Sequence, residues 1–186
     1  MPTIINGTTG IDTVQDGIVT ADKIVSGAVT DAKIAAMAAS KLTGTVPDAN
    51  APSGSVIQVV QAIVTGSSDY TTTTPTSRVS LSITPSSTSS KIMLFYNAGD
   101  CAGLGSTDVK GATNFYRDGS SIRTVTREVC RNSSTFITIS GSYLDSPSST
   151  SSLTYAVYHY NASATGTFRV GDTDMPSVLT AMEIAG

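Results

Sequence analysis

The sequence predicts a mainly β protein: an extended N-terminal repeat stalk with a short helix, followed by an antiparallel, jelly-roll-like β-sandwich. Three observations carry that prediction. From Ser55 onward, short runs rich in Val, Ile, Thr and aromatic residues alternate with clusters of Gly, Pro, Asp and Ser, with no amphipathic helical pattern between them. Before Ser55, a pattern of Gly, an apolar residue, Val, Thr, two variable residues, Lys and Ile occurs at Gly17–Ile24 and again, ten residues on, at Gly27–Ile34. Charged residues are only 13% of the chain, about half the usual share. Ser and Thr take their place, and Thr favours extended backbone through its β-branch while its hydroxyl faces water.

Residues 1–15 are rich in Gly and Thr and form an extended lead-in, with Ile4, Ile5, Ile11 and Val14 available for docking on a partner. Residues 16–44 hold the decads. A self-similar period marks a repeating structural unit, and one such unit is too small to bury its own apolar residues. Ile18, Val19, Ile24, Val29, Ile34 and Leu42 therefore need partners, and copies of the same chain around a symmetry axis supply them at least cost. Each decad can start a single helical turn capped by Thr20 or Thr30. Ala35–Leu42 is the most helix-prone stretch and is read as the short helix that ends the stalk. Residues 45–54, with Pro47, Pro52 and Gly54, form a linker.

Residues 55–186 form the sandwich. Val56–Val64 is the first strand. Arg78–Thr84 alternates with period two, which puts Val79, Leu81 and Ile83 on one face and Arg78, Ser80, Ser82 and Thr84 on the other. Lys91–Asn97 is apolar on both faces and central, whereas Gly99–Gly105 reads as a flexible surface loop. Thr113–Arg117 and Ser121–Thr126 flank Asp118-Gly119, a two-residue hairpin signal. Phe136–Ser140, Leu153–Tyr160, Thr167–Val170 and Val178–Ile184 complete the set. The edges of such a sandwich invite pairing, and packing three copies about an axis is one way to cover them.

A net charge of −3 with few basic residues argues against nucleic-acid binding. The N-terminus turns polar at once, so no cleaved signal peptide is expected, and the longest apolar stretch, Val56–Val64, is far short of a membrane span. Without an export signal, Cys101 and Cys130 are expected as thiols. A bond between them would contribute roughly 3–4 kcal/mol.

Catalytic chemistry finds little support. His159 is the sole histidine, and no serine sits in a nucleophile-elbow setting; it is expected as an exposed or interface strand residue. Period two puts Tyr155, Val157 and His159 on one face and Ala156, Tyr158 and Tyr160 on the other. Asp172 with Asp174, and Asp100 with Asp108, are too few oxygens for a calcium site, and Gly171–Asp174 reads as a turn. No metal, cofactor or catalytic residue is expected. The binding resource is aromatic and cationic: Tyr155, Tyr158 and Tyr160, together with Phe115 and Tyr116, can stack on sugar rings where they are exposed, Tyr158 and Tyr160 first among them, and Arg123 and Arg127 can meet acidic groups of a cell envelope. The competing expectation is that these tyrosines fill the core or a protomer contact. The arginines near the hairpin, Arg117 among them, would then pair with carboxylates such as Asp118 or Glu128 across a subunit boundary.

The decads Val19–Ile24 and Val29–Ile34, the Leu42-Thr43-Gly44 exit, Asp145-Ser146-Pro147, Leu153–Val157 and Met182-Glu183-Ile184 resemble bacteriophage tail-fibre and related virion proteins. The resemblance implies a homotrimer, an N-terminal segment fixed to other virion structural proteins, and a distal β domain facing the host surface. It also implies location on the virion, at tail or capsid surface, after synthesis in the host cytoplasm. The function expected is host attachment, through a cell-surface glycan. The alternative is a purely structural capsid decoration, head fibre or baseplate connector, and an enzyme that shortens host polysaccharide is a distant third.

Overall fold

The computed structural model describes residues 51–105, 108–130, 136–163 and 165–186. The attachment segment, the short helix and the stalk residues Ile18, Val19, Ile24, Val29, Ile34 and Leu42 lie outside the described residues. Among the described residues there are ten strands and no helix: β1 Val56–Val64, β2 Ser68–Tyr70, β3 Thr76–Ile83, β4 Lys91–Leu104, β5 Val109–Arg117, β6 Ser120–Cys130, β7 Phe136–Asp145, β8 Leu153–Asn161, β9 Thr167–Val170 and β10 Ser177–Ile184. All belong to one compact unit, Val46–Gly186.

Every strand pairing is antiparallel, and the strands make two sheets. One runs β7-β4-β10-β1, with β9 and β2 continuing the β10 and β1 positions at one end. Ala102 shows how: it pairs with Phe136 of β7 and with Arg169 of β9, so β9 takes over the edge of β4 that β10 leaves after Ala98. The other sheet runs β3-β8-β5-β6. Chain order alternating between the sheets in this way is jelly-roll wiring. Between them lies a core whose largest fully buried side chains include Tyr155, Phe115, Phe168, Ile92, Leu94, Ile139 and Leu179.

Several elements form as their residues dictate. β1 keeps the predicted limits, and β3 turns Val79, Leu81 and Ile83 inward. Asp118 and Gly119 adopt φ of 49° and 78°, the pair of positive values that a two-residue turn between twisted strands requires. That turn is also docked: Asp118 N donates to Thr154 O, and Thr154 N donates to Asp118 Oδ1, each at 2.9 Å.

Three expectations are corrected. Within Gly99–Gly105, expected as a surface loop, residues 99–104 are the far half of β4; a bulge between Ala98 and Cys101, with Asp100 at φ 51°, re-aims the strand so that Cys101 and Ala102 are buried. Arg78 does not share the outer face of β3 with Ser80: a register shift between Ser77 and Val79 turns it inward. Arg117, expected to pair with a carboxylate such as Asp118 or Glu128 of another subunit, pairs with Asp145 of its own chain at 2.6 Å.

Candidate functional site

The interior is crossed by polar groups. His159 is fully buried, whereas the sequence suggested an exposed or interface position. Its ring nitrogens lie 2.8 Å from the Tyr96 hydroxyl and 2.9 Å from Thr113 Oγ1. A neutral imidazole offers one donor and one acceptor, and two hydroxyls satisfy both whichever nitrogen carries the proton. Burial, with the positive Arg78 adding to it, pushes the His159 pKa down to about 3. Burial also pushes the Tyr70 phenol up to about 12 and holds the Tyr96 phenol above its ordinary value. Arg78 donates to Ser177 Oγ at 3.0 Å, Ser68 Oγ at 2.6 Å, Val64 O at 3.5 Å and the carbonyl of Gly66. The His159–Tyr96 contact and the Arg78 contacts to Ser177 and Ser68 each join one sheet to the other.

The outer face of the β3-β8-β5-β6 sheet gathers most of the predicted binding residues. Tyr158 and Tyr160 alternate outward from β8, as period two requires, while Tyr155, Val157 and His159 are buried. Tyr158 stacks on Tyr116 of β5, ring centroids 4.0 Å apart and planes at 26°. In register, Tyr160 stands opposite Ala112, and Ala112 opposite Arg127, so Tyr160 and Arg127 share one row of that face. Arg123 is exposed on the edge strand β6, in register with the inward Phe115, and does not join that row. Tyr116 and Asn114 complete the site; Asn114 was not singled out from the sequence, and its outward alternation with the inward Phe115 was the available signal. Asn114 lies opposite Tyr158, only 8% exposed, and its Oδ1 has no hydrogen-bond partner among the described residues. A buried acceptor left without a donor is costly. Ser77 stands opposite Tyr158, and Ser80, Ser82 and Thr154 carry hydroxyls farther along the same face.

The outer face of the other sheet is different in character. Its cross-strand rows read Val59, Met182, Met93 and Leu144; then Gln61, Thr180, Phe95 and Ser142; then Ile63, Val178, Asn97 and Ser140. A groove of about 380 Å³ runs over β4 between Ser140–Ser142 and the side chains of Val178 and Thr180, with Phe95 in its wall.

The carboxylates form no such site. Gly171–Asp174 lies in the turn from β9 to β10, where Asp172 N donates to Met175 O at 3.2 Å. Among the described residues, no three His, Cys, Asp or Glu side chains are grouped to hold a metal ion. No helix there is long and apolar enough to cross a membrane.

No protein-family model matches the sequence, and no curated protein matches it. Among solved structures it is similar to the sugar-binding C-terminal domain of EclA, at 15% identity and a TM-score of 0.36 over 63% of this chain and 78% of that one. It is also similar to the VP2 subviral particle protein of infectious bursal disease virus, at 10% identity and 0.42 over 71% of this chain and 34% of that one. The CBM22-1 xylan-binding domain from Paenibacillus barcinonensis matches at 13% identity and 0.34, over 73% and 99% respectively.

Proposed function

We propose that this chain is a non-enzymatic structural protein of a bacteriophage particle, a trimeric fibre or spike whose sandwich attaches to a host-surface glycan. The decads before the sandwich support projection from a particle. The observation that carries the binding step is the Tyr116–Tyr158 stack, on a face that also carries Ser and Thr hydroxyls. An aromatic surface offers a flat apolar platform for the C–H face of a sugar ring, and surrounding hydroxyls and amides compete for its hydroxyl groups. Arg127, in the row of Tyr160, suits a glycan that carries acidic substituents. One such shallow site is weak, and several copies on one particle convert it into firm adsorption.

Labelled full-length protein applied to immobilised envelope polysaccharide of the host tests the reading. Tyr158→Ala with Tyr160→Ala lowers retention at least about tenfold, the loss expected for about 1.4 kcal/mol per site, with the melting curve little changed. Unchanged retention defeats the glycan reading, and shortening of the polysaccharide defeats the non-enzymatic one. Gold-labelled antibody against the chain then locates it on purified particles: label at the tail supports adsorption, and label confined to the capsid supports the decoration reading.

A further inference from the structure

We propose that the outer face of the β7-β4-β10-β1 sheet is a self-association surface, and that its occupant is a second copy of this chain. Seven large apolar side chains are exposed among the described residues, and six of them, Val56, Val59, Ile63, Phe95, Phe136 and Leu144, lie on strands of this sheet. Cross-strand register joins them to half-buried neighbours: Val59–Met182–Met93–Leu144 is an unbroken apolar row across four strands, with Val56–Ile184 beside it on one side and Phe95 on the other, and Ile63–Val178 one mixed row beyond Phe95. The opposite outer face presents Ser80, Ser82 and Thr154 at comparable positions, so the contrast belongs to one sheet and not to the composition of the chain. An exposed apolar row of this kind, with Phe95 beside it, marks a protein contact, because leaving it in water forgoes roughly 25 cal/mol for every Å².

Two features favour a copy of the chain itself. First, between Lys91 at one end and the Arg169–Asp69 ion pair at the other, the outward positions of the four strands carry no charge. Identical faces therefore meet without opposing like charges, and the groove walled by Phe95 gives a partner's side chain a place to enter. Second, fifty residues precede Ala51, and the chain joins the sandwich through this sheet: Gly54 N donates to Ala185 O and Ala185 N to Ser55 O, each at 2.8 Å, extending the β1-β10 ladder back toward the linker. Decads that gather copies, as proposed above, lead along the chain into the strand that bounds this face, and this second feature rests on that reading. Assembly then has two devices, the decads and the sheet, and the tyrosine-bearing sheet on the other side stays open. The inference is independent of the glycan reading, whose residues lie on that other sheet.

Sedimentation equilibrium of the full chain tests it. Ile24→Asp with Ile34→Asp disables the decads, and that variant is expected to remain oligomeric at micromolar concentration. Adding Met93→Lys and Met182→Lys weakens its association at least about a hundredfold, to monomer, while Ser80→Lys with Thr154→Lys leaves it unchanged. If the lysine pair unfolds the sheet, Val59→Thr with Leu144→Thr replaces it, since threonine keeps the strand and removes apolar contact. A decad-disabled chain that is already monomeric overturns the proposal, as does one whose mass ignores both substitutions of the face. A monomeric full chain in which Met93 resists peroxide also overturns it, because the chain's own N-terminal segment would then cover the sheet.

Discussion

The Tyr96 hydroxyl and His159 Nε2 meet at 2.8 Å, joining β4 of one sheet to β8 of the other inside the core. The contact gives stability a pH signature. His159 is neutral when folded, with a pKa near 3 against 6.5 for the exposed residue, so the unfolded chain binds the extra proton. Its contribution is fully present above about pH 6.5 and is lost as pH falls toward 3, at up to about 1.4 kcal/mol per pH unit. His159→Gln removes that slope and costs about 1–3 kcal/mol at pH 7. Urea titrations of both proteins between pH 7 and 4 check this, and identical slopes would refute it.

Arg78 closes the sheets at the other end of the same polar region. Its guanidinium serves two hydroxyls and two carbonyls, a fork that an ammonium does not match. Arg78→Lys is expected to cost about 2–3 kcal/mol and Arg78→Met about 3–5, because the second leaves Ser177, Ser68 and two carbonyls without a donor. Thermal melting ranks the two, and a methionine variant as stable as the parent would count against the role.

How much of this was readable in the chain depends on range. Local chemistry was: β1 has the predicted limits, Asp118-Gly119 makes its turn, and residues 155–160 alternate as expected. Arg78 was misplaced because one extra residue at the Ser77/Val79 bulge reverses parity, and nothing in a period-two pattern announces a bulge. The far half of β4 was misread because its glycines imitate a loop. Gly103 is there for space, since a Cβ on it would lie 2.5 Å from the carbonyl oxygen of Cys130. His159 was expected at the surface because its partner Tyr96 is 63 residues away, a distance over which sequence pattern says nothing. The apolar outer face appears only when four strands are put in register. Within β1, Val59 and Ile63 alternate with partly buried Val60, Ala62 and Val64, and either face reads as core.

The same glycine argument predicts the effect of Gly111→Ala. A Cβ at Gly111 of β5 would run into the ring of Phe168 of β9, which is fully buried and has nowhere to retreat. Overpacking of this kind costs about 1–3 kcal/mol. Gly54→Ala tests the opposite case, because a Cβ there meets nothing within 4 Å and only its positive φ opposes the change. The Gly111 variant should therefore lose more stability than the Gly54 variant in chemical denaturation, and the reverse order would contradict the packing.

Cys101 is fully buried, directs its thiol toward the carbonyls of Ala98 and Gly99 at 3.6 Å, and is pushed up to about 11, mainly by burial. At pH 8 about one molecule in a thousand would carry the thiolate even if the reagent could reach it. Alkylation of Cys101 by iodoacetamide is therefore expected to follow unfolding, slow in buffer and rapid in urea, as peptide mass spectrometry would record. Fast labelling of the folded protein would show that the β4 bulge opens locally.

Asp145 is the corresponding anchor at the end of β7. Its Oδ2 accepts from Arg117 Nη1 and from the Tyr155 hydroxyl, both at 2.6 Å, so one carboxylate ties β7 to β5 and β8. Burial and the nearby carboxylate hold the Tyr155 phenol well above its ordinary value. Tyr155→Phe removes one neutral donor and is expected to cost about 1–3 kcal/mol with little change across pH. Arg117→Met is different in kind, because it leaves a buried charge without its counter-ion. The cost is about 2–4 kcal/mol at pH 7, moderated by the part of Arg117 that solvent already reaches. Chemical denaturation at pH 7 ranks the two variants: a larger loss for Arg117→Met than for Tyr155→Phe supports the ion pair, and the reverse order would assign the greater share to the phenol's hydrogen bond.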